Sequence, residues 1–124
     1  MALDATLPRT SDVIRQYYRL VDAGKVDELL DLFEVNAAYD RPGYAPMRGR
    51  DELDRFYRAE RAIDRGEHTL TDVVEDARQV AVAGRFVGVL KDGQTVTVGF
   101  ADLFTFSPAH RVTRRATFFA TPAV

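Results

Sequence analysis

Residues 99–106 read Gly99-Phe100-Ala101-Asp102-Leu103-Phe104-Thr105-Phe106, GFADLFTF, an alternation of period two. In a strand, successive side chains point to opposite faces of a sheet. Val98, Phe100, Asp102, Phe104 and Phe106 then share one face, and Gly99, Ala101, Leu103 and Thr105 the other. Asp102 therefore sits in the middle of the most aromatic face of the chain. A lone carboxylate there is costly, so it must be paired, hydrogen-bonded, protonated or open to a cavity.

The same texture extends on both sides. His68–Ala77, Val80–Leu90, Thr95–Phe106 and Val112–Thr121 read as four strands, joined by short turns that include Asp92-Gly93, a hairpin signal. Upstream the period changes to that of helices. Thr10 or Ser11 is placed to cap a helix that carries Val13, Ile14, Tyr17, Leu20 and Val21 and stops at Gly24. A second helix is predicted over Val26–Phe33 and a third over Asp51–Ile63, with a short strand, residues 37–41, between them and the loop GYAPMRG after it. Helices first and then a meander predict an α+β domain over residues 10–124 behind a flexible arm, residues 1–9. Three helices against a curved antiparallel or mixed sheet enclose a cone, with Gly84, Gly88 and Gly99 placed to let the long strands bend.

Composition narrows the function. The 124 residues suit one domain, and a net charge of −2 with both signs interspersed gives no footprint for nucleic acid. No apolar run approaches a membrane span, and MALDATLPRT lacks the basic start and apolar core of a secretory leader. With no cysteine there is no thiol nucleophile or thiolate metal site, and the two histidines lack ligand spacing. These features favour the cytoplasm and chemistry without a metal or cofactor. Of the 17 basic residues only Lys25 and Lys91 are lysine, a bias that fits base composition better than chemistry.

The run YYRLVDAGKVDELLDLFEVNAAYDRPGYAPMRGRDELDRFY, followed by FADLFTF and RVTRRATFF, resembles nuclear-transport-factor-2-like (NTF2-like) proteins over about residues 10–122. It is most similar to the branch of ketosteroid isomerases and SnoaL-type polyketide cyclases. The resemblance implies the cone fold, a pocket for a small apolar molecule and pairing into a homodimer, but leaves the reaction open, because the superfamily hosts isomerases, cyclases, dehydratases, epoxide hydrolases and binding modules. In ketosteroid isomerases a tyrosine and a protonated aspartate form an oxyanion hole, and another aspartate moves the proton. By resemblance Tyr17 and Asp102 fall at the first two positions. The base position falls on Arg41, which is no base near neutral pH, so a ketosteroid isomerase is not expected. Limonene-epoxide-hydrolase relatives use an Asp-Arg-Asp set, and Arg41 with Asp102 resembles part of it.

The candidate catalytic residues are thus Asp102 as general acid or oxyanion donor, Tyr17 in support, and His68 as a proton carrier. Candidate substrate contacts are Arg41, Tyr39, Phe86, Phe100, Phe104, Arg114 and Phe118. By alternation with Val112, Ala116 and Phe118, Arg114 is expected to face inward as a second candidate partner for Asp102, beside Arg41. Glu60 and Arg61 read as a solvated face, and His110 as a turn residue. The expected function is cofactor-free acid–base chemistry on an oxygenated apolar compound of polyketide, steroid or terpenoid type. The alternative is a binding or dimerisation module, paired through the outer sheet face at Val87, Val89, Ala101 and Leu103.

Overall fold

A computed structural model describes residues 7–121 of the chain, so most of the expected N-terminal arm lies outside the described residues. The elements run α1 (Thr10–Ala23), α2 (Val26–Leu30), β1 (Phe33–Asp40), β2 (Met47–Arg48) and α3 (Gly49–Arg55), which passes into a π-helical turn (Phe56–Glu60). Strands β3 (Ile63–Asp76), β4 (Gln79–Leu90), β5 (Thr95–Phe106) and β6 (Val112–Phe119) follow. The six strands form one sheet in the order β2-β1-β6-β5-β4-β3, with β1 and β6 parallel and all other neighbours antiparallel. Three helices on this mixed, unclosed sheet give the α+β cone.

Helix α1 buries Val13, Ile14, Tyr17, Tyr18 and Leu20, spaced three and four apart so that they share one face. It ends where Gly24 takes a left-handed φ of 71°, a backbone that glycine adopts without steric cost. Its start differs from expectation. Thr10 is the first helical residue, not a cap, and its hydroxyl donates 2.8 Å to Glu75 of β3. From the described part of the arm, Arg9 also reaches Glu75, and the Pro8 carbonyl lies 2.6 Å from Nδ1 of His110.

Tertiary pairing overrides local pattern at two further places. Phe33, expected in the second helix, opens β1, which lies beside β6 with the Val112 amide bonded to the Leu32 carbonyl at 2.8 Å. Met47–Arg48, expected as loop, pairs with Ala38 and Tyr39 as an edge strand. The third helix stops at Glu60, and Ile63 opens β3.

One irregularity governs the site. Between β5 and β6 the pairing Thr105↔Arg114 gives way to Phe106↔Val112, leaving Thr113 as an extra residue. Such a bulge reverses the facing of everything beyond it. Val112 is buried on the near side of the bulge, and Arg115 and Thr117 are buried beyond it, while Arg114 and Phe118 face outward. The inner face of β5 then meets Arg115, Thr117 and Phe119 opposite Phe104, Asp102 and Phe100.

Candidate active site

Asp102 is paired, and its cation is Arg115, not Arg41 or Arg114. The Arg115 guanidinium donates Nε to Oδ1 at 3.2 Å and Nη2 to Oδ2 at 2.9 Å, a bidentate contact with both side chains almost fully buried. The hydroxyls of Tyr18 and Thr117 donate to the two remaining sides of the carboxylate. All four contacts come from donors, an arrangement that suits a carboxylate. Arg114, placed outward by the bulge, pairs with Asp40 at 3.1 Å on the surface. Phe118 is 60% exposed, so it lies on the outer face and not in the cone.

Arg115 is the centre of the interior. Its Nη1 donates to the hydroxyls of Tyr17 and, at 3.1 Å, Tyr57. The guanidinium also lies 4.5 Å from the Tyr39 ring centre and 4.9 Å from that of Tyr17, within cation–π range. Burial works against its charge, but Asp102 and then the tyrosines more than offset this and hold its pKa well above the usual arginine value. Tyr17 bonds Tyr57 at 2.6 Å, whereas Tyr18, one residue on, serves Asp102. Burial pushes the phenols of Tyr17, Tyr18 and Tyr57 up, and for Tyr18 the Asp102 charge adds to it, so they remain neutral donors.

A second polar set faces the same space. Nδ1 of His68 lies 2.6 Å from Oδ1 of Asp22, and the His68 backbone amide donates 2.9 Å to Oδ2. A carboxylate only accepts, so it is an N–H on Nδ1 that completes this contact. Nε2 makes no hydrogen bond among the described residues. The ring is held by Phe86 at 4.7 Å, Tyr18 at 5.0 Å and Phe100 at 5.3 Å. Phe104, fully buried, packs on Tyr17 at 5.5 Å behind this layer.

His68, Arg115, Arg41 and Ile63 line two small neighbouring spaces of about 20 and 10 Å³, the first bounded also by Tyr17, Tyr57 and Arg61, the second by Phe86, Phe100 and Thr117. Each holds little more than a water. Arg41 is buried there, with Nη1 3.0 Å from the Tyr39 hydroxyl and its guanidinium 5.0 Å from the Phe119 ring. The cone is thus polar at its centre and aromatic at its wall. Among the described residues no group of three or more His, Asp or Glu is placed to hold a metal ion.

Sequence reasoning placed Asp102, Tyr17, Tyr39, Arg41, His68, Phe86, Phe100 and Phe104 in the interior, where the structure brings them together. It missed Arg115, Thr117, Tyr18, Asp22 and Arg61. Tyr18 and Asp22 had a signal, since each stands four residues after an interior residue of α1, Ile14 and Tyr18 in turn. Arg115 and Thr117 had none, because the bulge inverts the alternation that would have shown them.

Residues 14–115 match the family model described as a SnoaL-like domain. No curated protein matches the chain. Among solved structures, the epoxide hydrolase/cyclase-like enzyme SalBIII, with a role in pyran ring formation in the polyether salinomycin, superposes with a TM-score of 0.80 at 19% identity, over 90% of this chain and 91% of its own. An NTF2-like protein of unknown function from Burkholderia pseudomallei gives 0.82 at 16% identity, over 91% and 92%. A protein with a ketosteroid isomerase-like fold from Catenulispora acidiphila, in complex with trimethylamine, gives 0.78 at 18% identity, over 96% and 91%. At these identities the likeness is one of fold.

Proposed function

The chain belongs to the SnoaL-like domain family of the NTF2-like superfamily, and from that premise we propose that it is a cofactor-independent acid–base enzyme acting on an oxygenated apolar small molecule. His68 is the proton acceptor, oriented by Asp22. Arg115 is the oxyanion donor, oriented by Asp102. The observation that carries this reading is that His68 and Arg115 line the same two small spaces, each held from behind by a carboxylate, Asp22 and Asp102 in turn.

The roles follow from the hydrogen-bond count. A guanidinium has five N–H donors, and Arg115 spends four of them on Asp102, Tyr17 and Tyr57. The remaining Nη2–H is available to a ligand oxygen that gains charge as His68 withdraws a proton from carbon or from water. Because Asp102 and the tyrosines already fix the guanidinium, little reorganisation is needed as that charge forms. Asp102 is then a positioning residue for Arg115, and Tyr17 supports the same group. Isomerisation, cyclisation, dehydration and epoxide opening each need only such a base and such a donor. A ligand larger than water enters only if the lining opens.

The test is turnover of a panel of unsaturated ketones, hydroxy ketones and epoxides by the wild type and His68→Gln. The expected result is turnover in one substrate class that falls about 10²-fold or more in the variant. Activity unchanged by His68→Gln overturns the assignment of the base, and no turnover in any class favours a binding role. The same reading takes the outer sheet face as a pairing surface, because Phe118 and Val87 stand 60% and 51% exposed there and Phe118 lies beside Ala101.

A further inference from the structure

The helical side of the cone carries a cation that the chemistry above does not use. The π turn Phe56–Glu60 closes with the Arg61 amide bonded to the Phe56 carbonyl five residues back, at 3.0 Å. This widened geometry is rare and occurs mostly at functional sites. It sets Tyr57 into the Arg115 cluster and Arg61 at the boundary between two spaces. Inside is the small chamber lined by Arg41, His68 and Arg115. Outside is a groove of about 450 Å³ between α1, α2, the π turn and the start of β3, lined by the apolar Val21, Val26, Leu29 and Ile63, by the cations Arg58, Arg61 and Lys91, and by one carboxylate, Asp64, which Arg65 pairs at 3.3 Å.

Of these cations, Arg58 is already neutralised and Lys91 is tethered by one of its three donors. Arg58 is bound by Asp54 and Asp27, and the Lys91 ammonium donates 2.9 Å to the Ala59 carbonyl. The Arg61 guanidinium makes no ion pair or hydrogen bond among the described residues. Burial, and after it the guanidiniums of Arg41 and Arg115, pull the Arg61 pKa below the usual arginine value, while Tyr17 and Tyr57 oppose this. A half-buried cation beside two others at the junction of an apolar groove and a polar chamber is a site for an anion of matching shape.

We propose that the groove binds a small organic monocarboxylate, with the carboxylate held by the fork of Arg61 at the chamber mouth and the apolar body laid along Val21, Val26, Leu29 and Ile63. A single unspent guanidinium matches one planar carboxylate. The inference rests on the reading of the cone as a small-molecule site and adds the charge and polarity of the substrate. The carboxylate anchors at Arg61, at the mouth of the chamber that His68 and Arg115 line.

The probes are 2-naphthoate and its neutral isostere 2-naphthamide, titrated by NMR into the wild type, Arg61→Gln and Arg61→Lys. The expected result is that 2-naphthoate binds the wild type about tenfold or more tighter than 2-naphthamide, as charge-assisted hydrogen bonds allow. That preference should vanish in Arg61→Gln and shrink in Arg61→Lys, which keeps the charge without the fork, while 2-naphthamide binding stays unchanged. Equal binding of the two probes by the wild type overturns the inference and leaves the small-molecule reading standing. A preference for 2-naphthoate that survives in Arg61→Gln overturns the assignment to Arg61. Binding of neither probe overturns the inference together with the reading it rests on.

Discussion

At the scale of single residues, the burial of Asp102 is explained by Arg115, and this changes what a substitution there reports. Removing one member of a buried ion pair strands the other, which typically costs about 3–5 kcal/mol. Asp102→Asn and Arg115→Met are each predicted to lose stability of that order in denaturant unfolding. The double replacement Asp102→Leu with Arg115→Met should lose clearly less than the sum of the singles, because no charge is left unpaired. Additive losses would mean that the two side chains do not depend on each other. Asp102→Asn is therefore a poor probe of catalysis, and His68→Gln the better one. The sequence showed that Asp102 needed an explanation, since a carboxylate amid Phe100, Phe104 and Phe106 is costly in any fold. It did not show the partner, because fifteen arginines offered too many candidates and regular alternation chose Arg114.

Among the elements, irregularities do the positioning that periodicity hides. The helices and the four long strands were legible because their apolar spacing is strong, and β5 runs over the residues expected of it. The bulge at Thr113, the π turn and the short β2 were not, because each depends on what the neighbouring strand or helix requires and not on local pattern. Glycine marks another such place. A Cβ on Gly88 would stand 2.4 Å from the Phe86 ring and 2.5 Å from the Arg65 carbonyl, so the ring that supports His68 lies flat on bare backbone. Gly88→Ala is predicted to cost about 1–3 kcal/mol through overpacking and to shift the His68 ring resonances; a stable variant with unshifted resonances would show that the contact is not needed. The tie between α1 and β3 predicts a pH effect. The hydroxyls of Thr10 and Ser11 hold the Glu75 carboxyl below its ordinary value, so its contribution is present above the usual glutamate range and is lost as pH falls through the lowered folded value. Thr10→Val should cost about 1 kcal/mol at neutral pH and weaken that acid-side loss. An unchanged stability–pH curve would place the acid sensitivity elsewhere.

At the scale of the whole molecule, the sheet has two faces with different work. The inner face, with the helices, builds the polar centre, and the outer face leaves Phe118 and Val87 in solvent. Phe118→Glu is predicted to shift a dimer toward monomer in light scattering while leaving the unfolding midpoint of the monomer nearly unchanged; a species of unchanged mass would remove this face from the assembly. No helix among the described residues is long and apolar enough to cross a membrane. Fold was the most legible property, since helices followed by a meander with an aromatic inner strand admit few arrangements. The candidate site was the least legible, because it brings Asp22 and His68 together across 46 residues of chain. The most direct test of the account is therefore the tautomer of His68, read by long-range proton–nitrogen NMR at a pH where the imidazole is neutral. The account predicts the proton on Nδ1 and a bare Nε2, with the balance moving toward Nε2–H in Asp22→Asn. A wild-type ring protonated on Nε2 would contradict it, for the group placed against the chamber would then be a donor and not a base.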